Sequence, residues 1–134
     1  MSGVKLTDIV EKMNLKNLTP EVDITEREVL VPDVNRPALQ LAGFFDHFDL
    51  NRVQIIGNVE CAYLETLEEE KRVEIYQKLL EHKVPCIIFS NELQPDESFI
   101  EIAQKNDIPV FGTCKKTSSF MGELIRWLNV KLAP

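Results

Sequence analysis

Three strand-then-helix units follow one another between residues 53 and 132, and that rhythm leaves few ways to bury the apolar residues it carries. Val53-Gln54-Ile55-Ile56 reads as a strand ending at Gly57, and Val59 to Leu64 as a short helix behind it. Thr66-Leu67-Glu68-Glu69 matches a capping box, which predicts a longer helix from there to about His82 with Val73, Tyr76, Leu79 and Leu80 on one side. Pro85-Cys86-Ile87-Ile88-Phe89 is a near-continuous apolar run, the pattern of a strand covered on both faces. A helix over Asp96 to Gln104 follows, with Phe99, Ile102 and Ala103 inward. Ile108-Pro109-Val110-Phe111 is the next strand, and Thr117 to about Leu132 the last helix, with Phe120, Met121, Leu124, Ile125 and Leu128 on its apolar side. Trp127 reads as a packing residue. Strands alternating with helices imply right-handed crossovers. The predicted fold is therefore α/β, one domain over residues 1–134, with a small, mainly parallel sheet flanked by helices.

The first 45 residues do not follow that rhythm. Leu6, Ile9, Val10 and Met13 recur at helical spacing, with Thr7 or Asp8 placed to cap the start. Asn17 to Val31 gives short extended pieces broken by Pro20, with Glu28-Val29-Leu30-Val31 as a strand. Pro37 can open a helix whose apolar contacts are Leu39, Leu41, Ala42 and Phe45, and Gly43 would end it. These pieces are expected to pack along one edge of the sheet.

A net charge of −7 repels a phosphate backbone, and no stretch concentrates Lys and Arg with aromatics, so nucleic acid is not an expected partner. No apolar run approaches the ~18 residues of a membrane span, and the amino terminus lacks the pattern of a secretory signal. The cytoplasm is the expected compartment. Cys61, Cys86 and Cys114 are odd in number and in no Cys-x-x-Cys or Cys/His arrangement, which points to buried thiols and away from a disulfide framework or zinc site. The five glycines are isolated, and none begins a G-x-x-x-x-G-K-[ST] loop. With only His47 and His82, and no Gly-x-Ser-x-Gly elbow, the common hydrolytic and metal motifs are also absent. No catalysis, cofactor or metal is expected of this chain alone.

A binding site remains open. In an open parallel sheet ligands sit beyond the carboxyl ends of the strands, here Gly57-Asn58-Val59-Glu60, Ser90-Asn91-Glu92 and Gly112-Thr113. The same small polar residues also serve any strand-to-helix turn. Asp33, Asn35 and Arg36 precede a helix and admit two readings. Asp33 or Asn35 caps it while Arg36 pairs with a surface carboxylate, or the guanidinium fork meets an anion or a partner. Lys115 and Lys116 precede the last helix and offer weaker evidence of the same kind. His47, amid Phe44, Phe45 and Phe48, reads as part of a packed aromatic edge.

Four segments carry a more particular pattern: Pro32-Asp33-Val34-Asn35-Arg36-Pro37, Leu41-Ala42-Gly43-Phe44-Phe45, Arg52-Val53-Gln54-Ile55-Ile56-Gly57 with Glu60, and Thr117-Ser118-Ser119-Phe120. Together they resemble the amino-terminal domain of HPr kinase/phosphorylase, over nearly the whole chain. Asn35 and Ala38 stand where members of that family often have Ser and Gly, and neither change breaks a cap or helix. The resemblance implies a noncatalytic regulatory or assembly domain of a bifunctional enzyme. That enzyme phosphorylates a serine of HPr, the phosphocarrier of the sugar phosphotransferase system, with ATP or pyrophosphate and Mg²⁺, removes the phosphate again, and so sets carbon catabolite repression. Its P-loop domain would follow Leu132-Ala133-Pro134, and its assembly would be a hexamer. The family's domain is also similar in fold to the amino-terminal domain of Mur ligases, which holds a UDP-linked substrate. By that likeness Asp33, Asn35, Arg36, Gly57, Asn58 and Glu60 are candidate contacts for a ligand or partner, and an autonomous module binding a small anion or nucleotide sugar is the alternative.

Overall fold

Alternate residues of each central strand belong to two separate cores, which is why these strands are apolar at every position but Gln54 and Gly112. The computed structural model describes residues 3–134. Its main sheet has the order β2-β7-β6-β5-β4, from Lys16–Asn17 (β2), Val110–Gly112 (β7), Ile87–Phe89 (β6), Val53–Ile56 (β5) and Val34–Asn35 (β4). β4 to β7 are parallel and in chain order, and β2 is antiparallel to β7. Val53, Ile55, Cys86, Ile88 and Phe111 face a core completed by α1 (Leu6–Met13) and α6 (Thr117–Leu132). Ile56, Ile87, Phe89 and Val110 face the other, completed by α2 (Ala38–Leu41), α3 (Asn58–Glu65), α4 (Glu69–Leu80) and α5 (Glu97–Lys105). Crossovers of one hand between strands laid down in order put all four connecting helices on one side. A two-stranded ribbon of β1 (Val4–Lys5) and β3 (Glu28–Val29) lies beside α1 and α6.

Several local expectations fail for physical reasons. The first 45 residues occupy both edges and both faces of the sheet: β2 takes one edge, β4 the other, α1 covers one face and α2 the other. Neither Thr7 nor Asp8 caps α1; Lys5 holds the cap position with no side-chain bond, and Asp8 serves the first turn by charge alone. Thr66 does not open α4. It closes α3, its hydroxyl donating to the Tyr63 carbonyl at 2.6 Å, and Glu68 takes the α4 cap position. Leu39 is exposed on the outer side of α2, while Gln40 and Leu41 turn inward. β3 stops at Val29 and leaves Leu30 exposed. The aromatic edge recruits His82: its ring stacks on Phe45 at 4.5 Å and meets Phe48 edge-on, whereas His47 is exposed. Trp127 packs against the α1/α6 core, with the Lys131 ammonium 5.8 Å above its ring.

The β2 edge depends on a side chain. Thr19, fully buried, accepts the Val110 N–H at its Oγ1 (2.9 Å), continuing the pairing past the two residues of β2. Thr19→Val keeps shape and removes that acceptor, so it should lose about 1–3 kcal/mol. Urea denaturation should show Thr19→Ser recovering most of the loss; a neutral Thr19→Val would mean the Val110 amide does not need this partner.

Candidate functional site

The chain leaves four neighbouring strands of the sheet at one end, and side chains there tie the departures together. From β4 comes Arg36, whose guanidinium forks onto Glu60 of α3, Nε to Oε2 at 3.0 Å and Nη2 to Oε1 at 2.5 Å. Glu60 Oε1 also accepts the Gly57 N–H at 2.9 Å, so the carboxylate both caps α3 and anchors the arginine. Its side chain is only 1% exposed, against 33% for Arg36. From β6 comes Ser90, its hydroxyl 2.6 Å from that of Thr117 at the start of α6. Gly57 lies between these pairs. A Cβ there would stand 2.7 Å from Thr117 Oγ1 and 2.8 Å from Arg36 Nη2, so any side chain would have to push both aside. The glycine is needed for close approach; its φ of −122° is open to any residue.

Behind Arg36 lies a set of amides. Asn35 Nδ2 donates to Gln54 Oε1 at 2.7 Å and to Gln40 Oε1 at 3.2 Å, and Gln54 returns a bond to the Arg52 carbonyl. Asn35 therefore does not cap α2, and Arg36 does not pair at the surface: its partner is buried. Asp33 is exposed and makes no side-chain hydrogen bond among the described residues, and Asn58, also exposed, opens α3 without one. Of the six candidate residues the structure brings together Asn35, Arg36, Gly57 and Glu60. Gln40 and Gln54 escape sequence reasoning; a buried Gln in a strand of aliphatics is the signal that could have found them. Lys115 is spent on Glu123 at 2.5 Å.

The guanidinium, the carboxylate and both hydroxyls are satisfied internally, and among the described residues no three His, Cys, Asp or Glu converge to hold a metal. No described helix is long and apolar enough to cross a membrane.

A cavity of about 190 Å³ lies on the helical side, lined among others by Cys61, Arg72, Tyr76, Asp96 and Phe99. The Tyr76 hydroxyl donates to Asp96 at 2.6 Å, and burial, followed by that bond, raises its pKa. Burial and then the nearby Glu60, Glu65 and Asp96 push the Cys61 thiol up to about 11. Burial alone pushes Cys86 up to about 12. Only Cys86 is the buried thiol expected; Cys61 is half-buried and Cys114 exposed, because it sits in the turn after β7. A thiol-reactive reagent should therefore label Cys114 rapidly, Cys61 slowly, and Cys86 only on unfolding. The unfolded chain releases the Cys61 and Cys86 protons near 9.0 while the folded chain retains them. These raised pKa values leave stability intact below pH 9 and erode it as pH climbs from 9 through about 11 for Cys61 and about 12 for Cys86. The urea midpoint should fall across that window, and fall less in Cys86→Ala; a flat profile would contradict the assignment.

Against known families, the model of the HPr serine kinase N terminus matches residues 4–128. The chain belongs to that family. It is 54% identical over 134 residues to the HPr kinase/phosphorylase of Lachnoclostridium phytofermentans, covering all of this chain and 43% of that protein. It is 40% identical over 126 residues to that of Caldicellulosiruptor bescii, covering 94% of this chain and 40% of that protein. The chain thus spans less than half the length of these relatives, as the HPr serine kinase N-terminal region. Among solved structures, a chain holding the CBS and DRTGG domains of the regulatory region of Clostridium perfringens pyrophosphatase, complexed with its activator diadenosine tetraphosphate, superposes with a TM-score of 0.65. That match covers 93% of this chain and 47% of the other at 22% identity, a likeness of fold.

Proposed function

We propose that this chain is the noncatalytic regulatory and assembly domain of a cytoplasmic, bifunctional HPr(Ser) kinase/phosphorylase. The observation that carries the reading is the family match over residues 4–128 in a chain with no phosphate-binding loop. The Arg36–Glu60–Gly57 cluster adds to it, since groups that satisfy one another hold strand ends and helix starts in place and supply no nucleophile or base. In this reading ATP or pyrophosphate and Mg²⁺ belong to a separate catalytic domain of a hexamer, HPr is the substrate of the whole enzyme, and the output is carbon catabolite repression. The test is phosphoryl transfer to HPr by the 134-residue chain and by the product of the complete coding sequence. Transfer by the longer protein alone supports the reading. Transfer by this chain, or a stop codon after Pro134, sinks it.

A second reading, an autonomous module that binds a small anion or nucleotide sugar near Asn35, Arg36 and the Gly57 turn, draws on the fold shared with a regulatory region that takes a nucleotide activator. An anion there would have to compete with Glu60 for the guanidinium. A panel of sugar phosphates and nucleotides should then raise the melting temperature, and Arg36→Ala should abolish the rise; no shift from any of them rejects this reading.

A further inference from the structure

The sheet sends its connections to opposite sides between β6 and β7. The chain leaving β6 enters α5, which packs through Phe99 and Ala103 on one face; the chain leaving β7 enters α6, which packs through Phe120, Leu124 and Leu128 on the other. Loops that part in this way leave a crevice outside the carboxyl ends of the strands, where open α/β sheets take their ligands. The Arg36–Glu60 cluster lies elsewhere, over β4 and β5, whose connections share a face.

A cavity of about 240 Å³ occupies the switch point. Because the strand order is β2-β7-β6, the end of β7 at Thr113 forms its floor, Lys16 and Leu18 one wall, and Glu92, Leu93 and Gln94 the other. The second wall is rigidly set. Asn91 and Glu92 both have left-handed backbone (φ 61° and 57°), unfavourable for residues with a Cβ, held by bonds from Asn91 N–H to the Lys115 carbonyl (2.7 Å) and Glu92 N–H to the Thr113 carbonyl (3.0 Å).

Lys16 and Glu92 line this one cavity with opposite charges, yet neither forms an ion pair among the described residues. A simple anion would gain Lys16 and face Glu92. A molecule carrying both charges a few ångströms apart satisfies each wall. The volume, below the ~300–1,000 Å³ of common ligand pockets, suits a small metabolite. We propose that the switch-point cavity binds a free α-amino acid, its carboxylate on Lys16, its ammonium on Glu92 and its side chain against Leu18 and Leu93. This goes beyond the regulatory reading above and does not depend on it.

The test is NMR titration of this chain with the protein amino acids one at a time, with inorganic phosphate and AMP alongside, in the absence of HPr and ATP. The expected result is saturable binding of at least one amino acid with a Kd of about 1 mM or tighter, shifting residues 92–94 and 113. Lys16→Ala and Glu92→Gln should each weaken it roughly tenfold or more, Lys105→Ala in the last turn of α5, at the opposite end of that helix from residues 92–94, should not, and the N-acetyl and amide derivatives of the same amino acid should fail to bind. Both substituted residues are exposed, so the variants should fold. No binding by any amino acid, binding by phosphate or AMP alone, or indifference to either substitution overturns the proposal.

Discussion

Arg36→Ala is expected to cost this domain about 3 kcal/mol or more, because it leaves the Glu60 carboxylate buried with one backbone N–H for company. The reverse change, Glu60→Ala, should cost less. The Arg36 side chain is already one-third exposed and its guanidinium can turn toward water, whereas the carboxylate has no such route. Replacing both, Arg36→Met with Glu60→Leu, removes the uncompensated charge and should recover most of the loss. Urea denaturation of the parent, Arg36→Ala, Glu60→Ala and the Arg36→Ala/Glu60→Ala double closes a double-mutant cycle, and the expected coupling exceeds about 1 kcal/mol. A coupling near zero would mean the fork seen between these atoms contributes nothing in solution. The same pair holds the exit of β4 against the start of α3, so its loss should also raise hydrogen exchange at Gly57 and Asn58 before the rest of the sheet.

Phe99→Ala should be as damaging, at about 3–5 kcal/mol. The ring is 1% exposed and meets Tyr76 and Phe89 edge-on, with centroids 5.1 and 5.2 Å away. Each such pair adds about 0.5–1.5 kcal/mol to the area buried. It also walls the cavity beside Cys61 and Asp96, so truncation enlarges a space that already exists. Phe99→Leu keeps most of the volume and should lose much less, which separates the cavity effect from a general intolerance at this position. A midpoint for Phe99→Ala within about 0.5 M urea of the parent would be too small for a core ring and would refute the packing described here.

Periodicity carried most of the architecture. The apolar spacing of α1 and of α6 places both helices on the residues they occupy, and the near-continuous apolar run at β6 identifies a strand covered on two sides. Family membership was likewise visible in the Pro32–Pro37 and Arg52–Gly57 segments, because short turns and caps leave particular residue types at particular spacings. End signals were less reliable. Thr66 has the sequence context of a helix start and works at a helix end, since its hydroxyl found the Tyr63 carbonyl before any amide of α4.

What the chain determined by itself is what neighbours along it decide: which segments are helix or strand, which side of each is apolar, and that no phosphate loop is present. Pairings across the chain belong to the tertiary structure alone. Arg36 and Glu60 are 24 residues apart, Ser90 and Thr117 are 27, and Thr19 and Val110 are 91. Which partner each finds depends on strand order, and strand order depends on how two cores are filled at once. Sequence also cannot place the switch point. α5 and α6 are both amphipathic and both follow strands, and only the prior occupation of one face by α2 to α5 and the other by α1 sends the last helix across the sheet and opens the crevice between Lys16 and Glu92.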